Sequence, residues 1–276
     1  MYYLIILVLL FLAELFYFHI ADKYNIIDKP NERSSHTRIT LRGGGIIFYL
    51  GALAYFLTNQ FEYPWFMLAL TLVTVISFVD DIRSISQGLR LVFHFTAMGL
   101  MFYQWELFTL PWWTVVVALI ACTGIINAYN FMDGINGITG GYSLAVLFPL
   151  LLLQWQNPQD SSLVITTILA DLVFCFFNFR PKNKAKCFAG DVGSISVAFI
   201  ILFVIGKIIV SNGDITWLIL LMVYGVDACL TIVHRIMLHE NLGQAHRKHG
   251  YQLMANELNI SHVVCLLYTS PSPRDP

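Results

Sequence analysis

The amino-acid sequence predicts an all-α fold, a polytopic bundle of membrane-spanning helices, and three observations support this. The chain of 276 residues is 57% hydrophobic and only 12% charged, with a mean hydropathy of +0.68, whereas soluble domains have roughly 25% charged residues. Apolar stretches that approach the length needed to cross roughly 30 Å of hydrocarbon recur about nine times. The Lys and Arg residues gather in every second connection between these stretches.

The apolar stretches divide most of the chain into predicted spans. They lie near 2–20, 44–59, 64–79, 89–104, 111–127, 140–155, 161–178, 193–210 and 215–233. The first stretch lacks a basic n-region and a cleavage site of small residues, which favours a first span over a removed signal peptide.

The connections between the predicted spans are of two kinds. Those near 60–63, 105–110, 156–160 and 211–214 are short and contain no Lys or Arg. Nearly all the basic residues lie in the other connections, and the exceptions are Lys207 and Arg274. The positive-inside rule therefore predicts that the basic connections face the cytoplasm and that the N-terminus lies outside.

The cysteines and the charge pattern exclude several classes of protein. Five cysteines lie far apart without a C-x-x-C pair, and Cys122, Cys175 and Cys229 fall within apolar runs. They are interpreted as small buried hydrophobic residues, not as disulfides or metal ligands. No basic stripe mixed with aromatic residues indicates nucleic-acid binding.

Ionisable residues within the predicted spans are scarce, which bears on the rival class of a lipid or solute transporter. Such a protein places ionisable groups near the bilayer midplane on broken helices. The candidates here are Glu14, Asp171 and Asp227. Glu14 and Asp171 are interpreted as paired or snorkelling structural residues, so the chemistry is expected at one mouth of the bundle.

A loop rich in glycine and asparagine joins the predicted cytoplasmic face. Residues 127–141 read N-A-Y-N-F-M-D-G-I-N-G-I-T-G-G between two apolar runs. Glycines at this density let backbone approach a ligand closely, and asparagine amides offer donors and acceptors without a desolvated charge. The alternative is a hairpin turn between two buried helices.

Two acidic motifs on the same face are candidates for binding a cation. Asp80 and Asp81 end the third span, where the helix dipole and their mutual repulsion are unfavourable without a compensating Lys, Arg or divalent metal. A solvated loop start is the alternative for this pair. Asp191 stands between glycines at the start of the eighth span, and it fits a helix cap and a hard-cation ligand equally well.

Two further segments of this face combine cations with histidine or glycine. Residues 244–250, Q-A-H-R-K-H-G, lack the Cys or carboxylate that would complete a zinc site. They suit pyrophosphate better, and an ordinary positive-inside loop is the alternative. In the first basic loop, N-E-R-S-S-H precedes L-R-G-G-G, whose glycines either bind an anion or let helices pack closely.

Together these segments resemble the polyprenyl-phosphate N-acetylhexosamine-1-phosphate transferases, of the glycosyltransferase family 4 type. The matching motifs are R-S-S-H…R-G-G-G, F-V-D-D, N-A-Y-N-F-M-D-G-I-N-G, K-C-F-A-G-D-V-G-S and A-H-R-K-H, in the family's order over about residues 1–262. The last motif resembles the undecaprenyl-phosphate GlcNAc-1-phosphate branch, which initiates O-antigen, capsule or teichoic-type glycans. The rival branch, the phospho-MurNAc-pentapeptide transferases, has a histidine triplet there.

The resemblance implies a reaction and its components. Family members in the bacterial inner (plasma) membrane transfer a sugar 1-phosphate from a UDP-sugar to undecaprenyl phosphate and release UMP. They require Mg²⁺, with Mn²⁺ as a substitute. The resemblance implies membrane lipid around the spans and leaves a homodimer open, and the charge pattern predicts no nucleic-acid partner.

The resemblance also implies roles for individual residues. The catalytic set is Asp80, Asp81, Asp133, His246 and His249. The substrate-binding set is Asn127, Asn130, Asn136, Phe188, Arg247, Arg33, Ser35, His36 and Arg42. Phe188 would stack on uracil, and Asp191, with Asp80, would bind the metal. Whether an aspartate acts as a nucleophile or as a base on the lipid phosphate stays open.

The sequence departs from the family pattern at two places. Many relatives read D-G-I-D-G where residues 133–137 read D-G-I-N-G, so that Asn136 replaces a carboxylate. The family continues beyond the histidine loop with at least one further span, whereas three prolines after Ser270 cannot continue a membrane helix. We therefore predict a membrane transferase domain over residues 1–264, a non-native tail over 265–276 and missing C-terminal spans.

Overall fold

A computed structural model describes residues 1–29, 37–241, 248–258, 260–262 and 264–265. Its helices are α1 (Tyr2–Lys23), α2 (Ile46–Thr58), α3 (Pro64–Ile82), α4 (Gln87–Gln104), α5 (Trp112–Met132), α6 (Ile138–Leu153), α7 (Pro158–Asn178), α8 (Gly190–Asn212), α9 (Met222–Met237) and α10 (Gly250–Gln252). Two short strands, β1 (Ile27–Asp28) and β2 (Thr40–Leu41), form an antiparallel pair. The 3₁₀ segments Leu107–Thr109 and Ile215–Leu221 precede α5 and α9, and the π-helical turn Leu253–Glu257 follows α10.

Each predicted span corresponds to a helix, α1 to α9 in order, which confirms the helical membrane fold. Within the described residues, six helical segments are long and apolar enough to cross a membrane: α1, α3, α5, α7, α8 and Ile215–Met237, which includes α9. The helices α2 and α6 are apolar but have only 13 and 16 residues, and α4 includes Arg90 and His94. The predicted number of spans is therefore approximate.

The helix at the centre of the bundle is α8. Of its apolar 18-residue window 83% is buried, against 28% for α1 and for α5, because α8 packs against α2, α3, α5 and α6. Its sequence is apolar on all sides, as expected for a buried helix. Inside the bundle its Ser196 forms a hydrogen bond of 2.9 Å with Thr74 of α3. The first turn of α8 consequently lies in the middle of one end of the bundle.

The glycines at the start of α2 serve helix packing. A Cβ on Gly45 would collide with the Cα of Gly193 in α8, and a Cβ on Gly44 would lie 2.6 Å from the Sγ of Cys187. The starts of α2 and α8 are thus in backbone contact, without room for a side chain between them. Of the two alternatives for R-G-G-G, close packing is the one that these glycines fulfil.

The segment before α8 completes the strand pair. Cys187 bridges to Leu41 of β2, and the N–H of Phe188 donates to the Leu41 carbonyl at 2.8 Å. The N–H of Gly44 donates to the Phe188 carbonyl at 2.9 Å. Strands of two residues leave no alternation to detect in the sequence, so the all-α prediction did not include them. The pairing holds Arg42, the residue after β2, beside the first turn of α8.

The connections predicted to share one face meet at one end of the bundle. Arg42, the end of α3, the start of α4 and the start of α8 contact one another through charged side chains. The loop after α5 contacts the backbone after α7. We call this end the carboxylate end.

The short connections without Lys or Arg meet at the opposite end. There Tyr63, immediately before α3, contacts Asp160 of α7 and Lys207 of α8. We call it the lysine end. The chain therefore has the alternation of connections that the sequence predicted, and the cytoplasmic assignment of the carboxylate end stays a prediction.

Candidate active site

Asp81 caps the first turn of α8. Its carboxylate accepts hydrogen bonds from the backbone N–H groups of Asp191 (3.0 Å) and Val192 (2.9 Å), two donors that a helix start leaves without a partner inside the helix. The Nε of Arg42 lies 2.8 Å from the same carboxylate, which is fully buried. Gly190 has a φ of +71°, and a Cβ there would lie 2.5 Å from an Asp81 oxygen. Asp81 therefore fixes the position of Asp191.

Asp191 lies at the centre of the cluster. Its Oδ1 accepts a hydrogen bond of 3.0 Å from Asn130 and lies 3.6 Å from Nη2 of Arg42. Its Oδ2 lies 3.3 Å from Nη1 of Arg90. Among the described residues, the partners of the Asp191 carboxylate are the side chains of Asn130, Arg42 and Arg90, and none is a backbone N–H of α8. Of the two roles that the sequence allowed, the cap of α8 is supplied by Asp81, and the Asp191 carboxylate is directed at charged groups.

Asp80 shares Arg90 with Asp191. Its Oδ2 lies 3.0 Å from the same guanidinium nitrogen, and its Oδ1 accepts a hydrogen bond of 2.8 Å from the N–H of Ile85. The two adjacent carboxylates at the end of α3 thus face different cations, Arg90 for Asp80 and Arg42 for Asp81. These arginines are the compensating charges that the acidic pair was expected to need.

Asp133 follows α5 directly, and its acidity is unusual. Its Oδ1 accepts a hydrogen bond of 2.6 Å from the hydroxyl of Thr139 in the first turn of α6. Burial, and to a smaller extent the negative charge of Asp191, raise the pKa of Asp133 to about 6, although the Thr139 hydrogen bond lowers it. A carboxylate that titrates near neutral pH is suited to general acid–base chemistry.

Two asparagines of the glycine-rich loop lie on the last turns of α5. The amide of Asn130 donates to Asp191 and also to Oγ of Ser194 at 3.2 Å, so it belongs to the cluster. The amide of Asn127 donates to the carbonyl of Thr123 at 2.9 Å, within its own helix. The structure therefore joins Asn130, and not Asn127, to Asp191 by a hydrogen bond.

Asn136 joins the loop to the segment after α7. Its amide donates to the carbonyls of Arg180 (2.9 Å) and Pro181 (3.1 Å), and its N–H donates to Nδ1 of His262 at 3.2 Å. An ionised carboxylate cannot donate to a carbonyl, so this arrangement requires an amide where the family pattern has aspartate. Among the described residues, Asn136 forms no hydrogen bond with the carboxylates of the cluster.

His249, immediately before α10, is held by Asp227 of α9. Its Nδ1 lies 2.6 Å from Oδ2 of Asp227, and the ring also lies near the aromatic ring of Phe131 at the end of α5. The hydroxyl of Tyr251 donates to the carbonyl of Phe131 at 2.9 Å. These contacts place His249 and Tyr251 beside the glycine-rich loop.

The other predicted site residues are of two kinds. Phe188 is half-buried and stands two residues before the start of α8. Five others lie outside the described residues: Arg33, Ser35, His36, His246 and Arg247. The tail predicted over residues 265–276 also lies outside them, except for Cys265.

The carboxylate end offers oxygen donors suited to Mg²⁺. One nitrogen of Arg90 lies within 3.3 Å of oxygens of both Asp80 and Asp191, so a single cation already bridges the two carboxylates. Mg²⁺ binds one or two carboxylates and completes its shell with water and phosphate oxygens. The donor set therefore fits this ion, although no three His, Cys, Asp or Glu side chains of the described residues form a metal-binding group.

Sequence reasoning missed three residues of this end: Arg90, Thr139 and Asp227. The sequence does not distinguish Arg90 from the other basic residues of its predicted face. Asp227 was interpreted as a candidate ionisable residue within a span. Thr139 stands six residues after Asp133, a spacing without a regular meaning across a loop. The signal that could have identified Arg90 is its position nine or ten residues after the acidic pair, across one short connection.

Comparison with known proteins adds a family and named relatives. The family model described as "Glycosyl transferase family 4" matches residues 63–208. A probable undecaprenyl-phosphate N-acetylglucosaminyl 1-phosphate transferase of Bacillus subtilis (strain 168) is 26% identical over 272 residues, which cover 90% of this chain and 75% of the relative. The undecaprenyl-phosphate alpha-N-acetylglucosaminyl 1-phosphate transferases of Escherichia coli (strain K12) and Yersinia pestis are 28% and 30% identical over 206 and 207 residues. Both alignments cover 67% of this chain and 56% of the relative.

Proposed function

This chain belongs to glycosyl transferase family 4, and we propose on that premise that it transfers N-acetylglucosamine 1-phosphate to undecaprenyl phosphate. The relatives' names supply the reaction. The observation that supports this reaction for this chain is the carboxylate end. There Asp80, Asp81 and Asp191 contact two arginines at one end of a membrane bundle. A lipid phosphate stays at headgroup level, so acceptor and cluster would meet there.

The donor that suits this cluster is a UDP-sugar, with UMP as the second product. The side chains of Arg42 and Arg90 are 34% and 31% exposed and would bind the diphosphate, because guanidinium groups pair with phosphate oxygens in a bidentate manner. Phe188 would stack on uracil, and His249, oriented by Asp227, would face the diphosphate or sugar from the opposite side of the glycine-rich loop.

Asp191 and Asp80 would hold Mg²⁺, or Mn²⁺ in its place. Bound there, the ion neutralises charge on the diphosphate and makes UMP a better leaving group. Arg90, which now bridges these carboxylates, would pair with phosphate oxygens instead. Asp81 would keep Asp191 in position, because two backbone N–H groups and Arg42 already bind its carboxylate.

In the transfer, an oxygen of the lipid phosphate attacks the phosphorus that carries the sugar, and the bond from this phosphorus to UMP breaks. UMP leaves with the electron pair. We assign Asp133 as the base that takes the proton of the lipid phosphate. Its pKa of about 6 is close to the second pKa of a phosphate monoester, roughly 6, so the proton transfer is nearly balanced.

The predicted orientation belongs to the same proposal. The carboxylate end would face the cytoplasm of the bacterial inner membrane, with the N-terminus outside, because the basic connections gather at this end. UDP-sugars would then reach the site from the cytosol. The product would be the first lipid-linked sugar of an O-antigen, capsule or teichoic-type glycan.

A transfer assay tests the reaction. Membranes containing the full chain are incubated with undecaprenyl phosphate, Mg²⁺ and radiolabelled UDP-N-acetylglucosamine, and separately with other UDP-sugars including UDP-MurNAc-pentapeptide. We expect label in the lipid fraction together with released UMP, and loss of both with EDTA. Preference for the pentapeptide donor would favour the rival branch. Turnover of no donor, together with uptake of a solute into vesicles, would favour a transporter.

Cysteine labelling tests the orientation. Single cysteines near Gln60 and Asn212 should react with an impermeant thiol reagent in intact cells, and one near Asn183 should not. The exposed native Cys229 is replaced in every variant. The reverse labelling pattern would contradict the cytoplasmic position of the carboxylate end.

A further inference from the structure

A basic groove lies beside the carboxylate end, outside the cluster already described. It has a volume of about 840 Å³ and is bounded by the end of α1, by β2 with the residues before it, and by the segment before Cys187. Among the described residues that line it, the cationic side chains are Arg38, Lys184 and Lys186, and the carboxylate is Asp22. The groove therefore carries an excess of positive charge.

Among the described residues, the three cations of the groove form no salt bridge with the protein's own carboxylates. Within the part of the chain that the structure describes, the salt bridges involve other basic residues. The groove's walls are nevertheless fixed: the N–H of Thr37 donates to Asn183 at 2.7 Å, and the N–H of Lys186 donates to the carbonyl of Phe177 at 3.0 Å. Uncompensated cations on a fixed wall favour an anionic ligand.

The groove lies at the depth of lipid headgroups. Its residue Asp22 belongs to the last turn of α1, a helix long and apolar enough to span the membrane. Directly beyond it, Lys23 lies 5.7 Å from the ring of the exposed Tyr24. Tyrosine and lysine at the end of a span are the residues that anchor it at the membrane surface.

The wall of the groove is also partly apolar. Phe18, Ile27 and Ile39 line it together with the cations, and Ile39 is 63% exposed. We propose that this groove binds the anionic headgroup of a bilayer phospholipid, whose phosphate contacts the cations and whose glycerol and upper acyl segments contact the apolar wall. Basic pockets at the ends of spans are suited to such headgroups.

Two other sources of phosphate fit the groove less well. Inorganic phosphate would leave the apolar wall without a partner. The acceptor lipid of the proposed reaction has to reach the carboxylate cluster, whereas the groove lining includes Leu41 but not Arg42, whose guanidinium is bound by Asp81 and Asp191. The bulk phospholipid is therefore the occupant that both the chemistry and the position favour.

Binding of phosphatidylglycerol to the purified full chain tests the proposal. The chain in neutral detergent is titrated with this lipid, and bound lipid is counted by native mass spectrometry. One basic residue near an anionic lipid contributes about fivefold in affinity. We therefore expect Lys184→Gln to weaken binding about fivefold, and Arg38→Gln with Lys184→Gln and Lys186→Gln to weaken it about a hundredfold.

The matched control is Lys182→Gln, an exposed lysine of the same segment that does not line the groove. It should change the affinity less than about twofold. Equal weakening by Lys182→Gln would overturn the site in favour of diffuse surface charge. Displacement of the lipid by millimolar inorganic phosphate, or stronger binding of undecaprenyl phosphate that depends on the same three cations, would overturn the assignment to a phospholipid. Thermal unfolding of each variant shows whether it is folded, and the single variant remains the test if the triple variant is not.

Discussion

The two ends of the bundle treat charge in opposite ways. At the lysine end one cation meets one carboxylate: Nζ of Lys207 lies 2.8 and 2.9 Å from the two oxygens of Asp160. Asp160 also accepts hydrogen bonds from Tyr63 (2.8 Å) and Asn157 (2.7 Å), and only 4% of its side chain is exposed. Every oxygen of this carboxylate is occupied by a fixed partner.

At the carboxylate end, two arginines are shared among three carboxylates. Arg90 lies between Asp80 and Asp191, whose side chains keep 14% and 19% of their surface exposed. The cluster thus carries a net negative charge that the protein leaves partly open to solvent, and Asp133 nearby adds to it. A satisfied ion pair stabilises a fold, whereas an incompletely neutralised cluster at a helix start is able to exchange partners with an incoming cation and phosphate.

Asp191→Asn should give the largest effect on activity, and it should show most clearly that the carboxylate end differs from the lysine end. It removes the charge at the centre of the cluster but keeps an oxygen that accepts from Asn130 and the backbone N–H that Asp81 binds. We expect transfer to fall by roughly 10³-fold or more, measured as lipid-linked label at saturating donor, with thermal unfolding little changed. Activity that survives both this substitution and chelation of divalent metal would contradict the proposed chemistry.

Asp160→Asn is the matched substitution at the lysine end. It leaves Lys207 without its counter-charge, which should cost about 2–3 kcal/mol of stability, below the range for fully buried pairs because 31% of the Lys207 side chain is exposed. Thermal unfolding should shift down, while turnover per folded molecule stays within about twofold. A large loss of turnover without a loss of stability would show that the two ends are not distinct in role.

The adjacent carboxylates at the end of α3 sharpen the comparison within one end. Asp80→Asn would remove one of the two proposed Mg²⁺ ligands and should lower turnover by roughly 10²-fold, with little effect on stability because Arg90 still has Asp191 as a partner. Asp81→Asn removes one of the two carboxylate oxygens that cap α8 and weakens the Arg42 contact. It should therefore lower turnover and thermal stability together. Equal stability of the two variants would contradict the capping role of Asp81.

More of the fold than of the site could be predicted from the sequence. Composition and the length of apolar runs predict the helices, and the alternation of charged connections predicts which loops meet, because membrane thickness and desolvation leave few other solutions. Lys207 stood outside this alternation, and its pairing with Asp160 of α7 accounts for the exception. Whether short helices such as α2 cross the membrane depends on how they pack around α8. The hydrophobic periodicity of the sequence does not predict this packing.

The sequence did not predict which role each residue of the site has. Asp80 and Asp81 are neighbours with the same chemistry, and only the rotation of α3 against the first turn of α8 decides which one caps the helix. Asn136 likewise looked like a lost carboxylate, whereas its amide is a donor to two carbonyls. Such roles depend on directions of side chains across long sequence separations, which no local pattern encodes.

Asp227→Asn should have a moderate effect that acts through His249. It weakens the contact that orients the imidazole, and a displaced catalytic group typically costs about tenfold to a hundredfold. In a double-mutant cycle with His249→Asn, the second substitution should add almost nothing. Additive losses would show that Asp227 only supports α9, and recovery of activity in Asp227→Glu would support the orienting role.

The smallest expected effect is a shift of the pH profile, and it concerns Asp133. A base acts in its ionised form, so turnover should rise with pH through about 6, the raised pKa of Asp133, and level off above it. Thr139→Val removes the hydroxyl that donates to the carboxylate at 2.6 Å. Because that hydrogen bond favours the ionised form, its loss should raise the pKa further and move the acid limb up by roughly one unit.

Thr167→Val in α7, whose hydroxyl donates to its own helix at 2.8 Å, is the control and should leave the limb in place. An acid limb that stays near pH 6 in Thr139→Val would assign the titration to another group and remove Asp133 from the role of base.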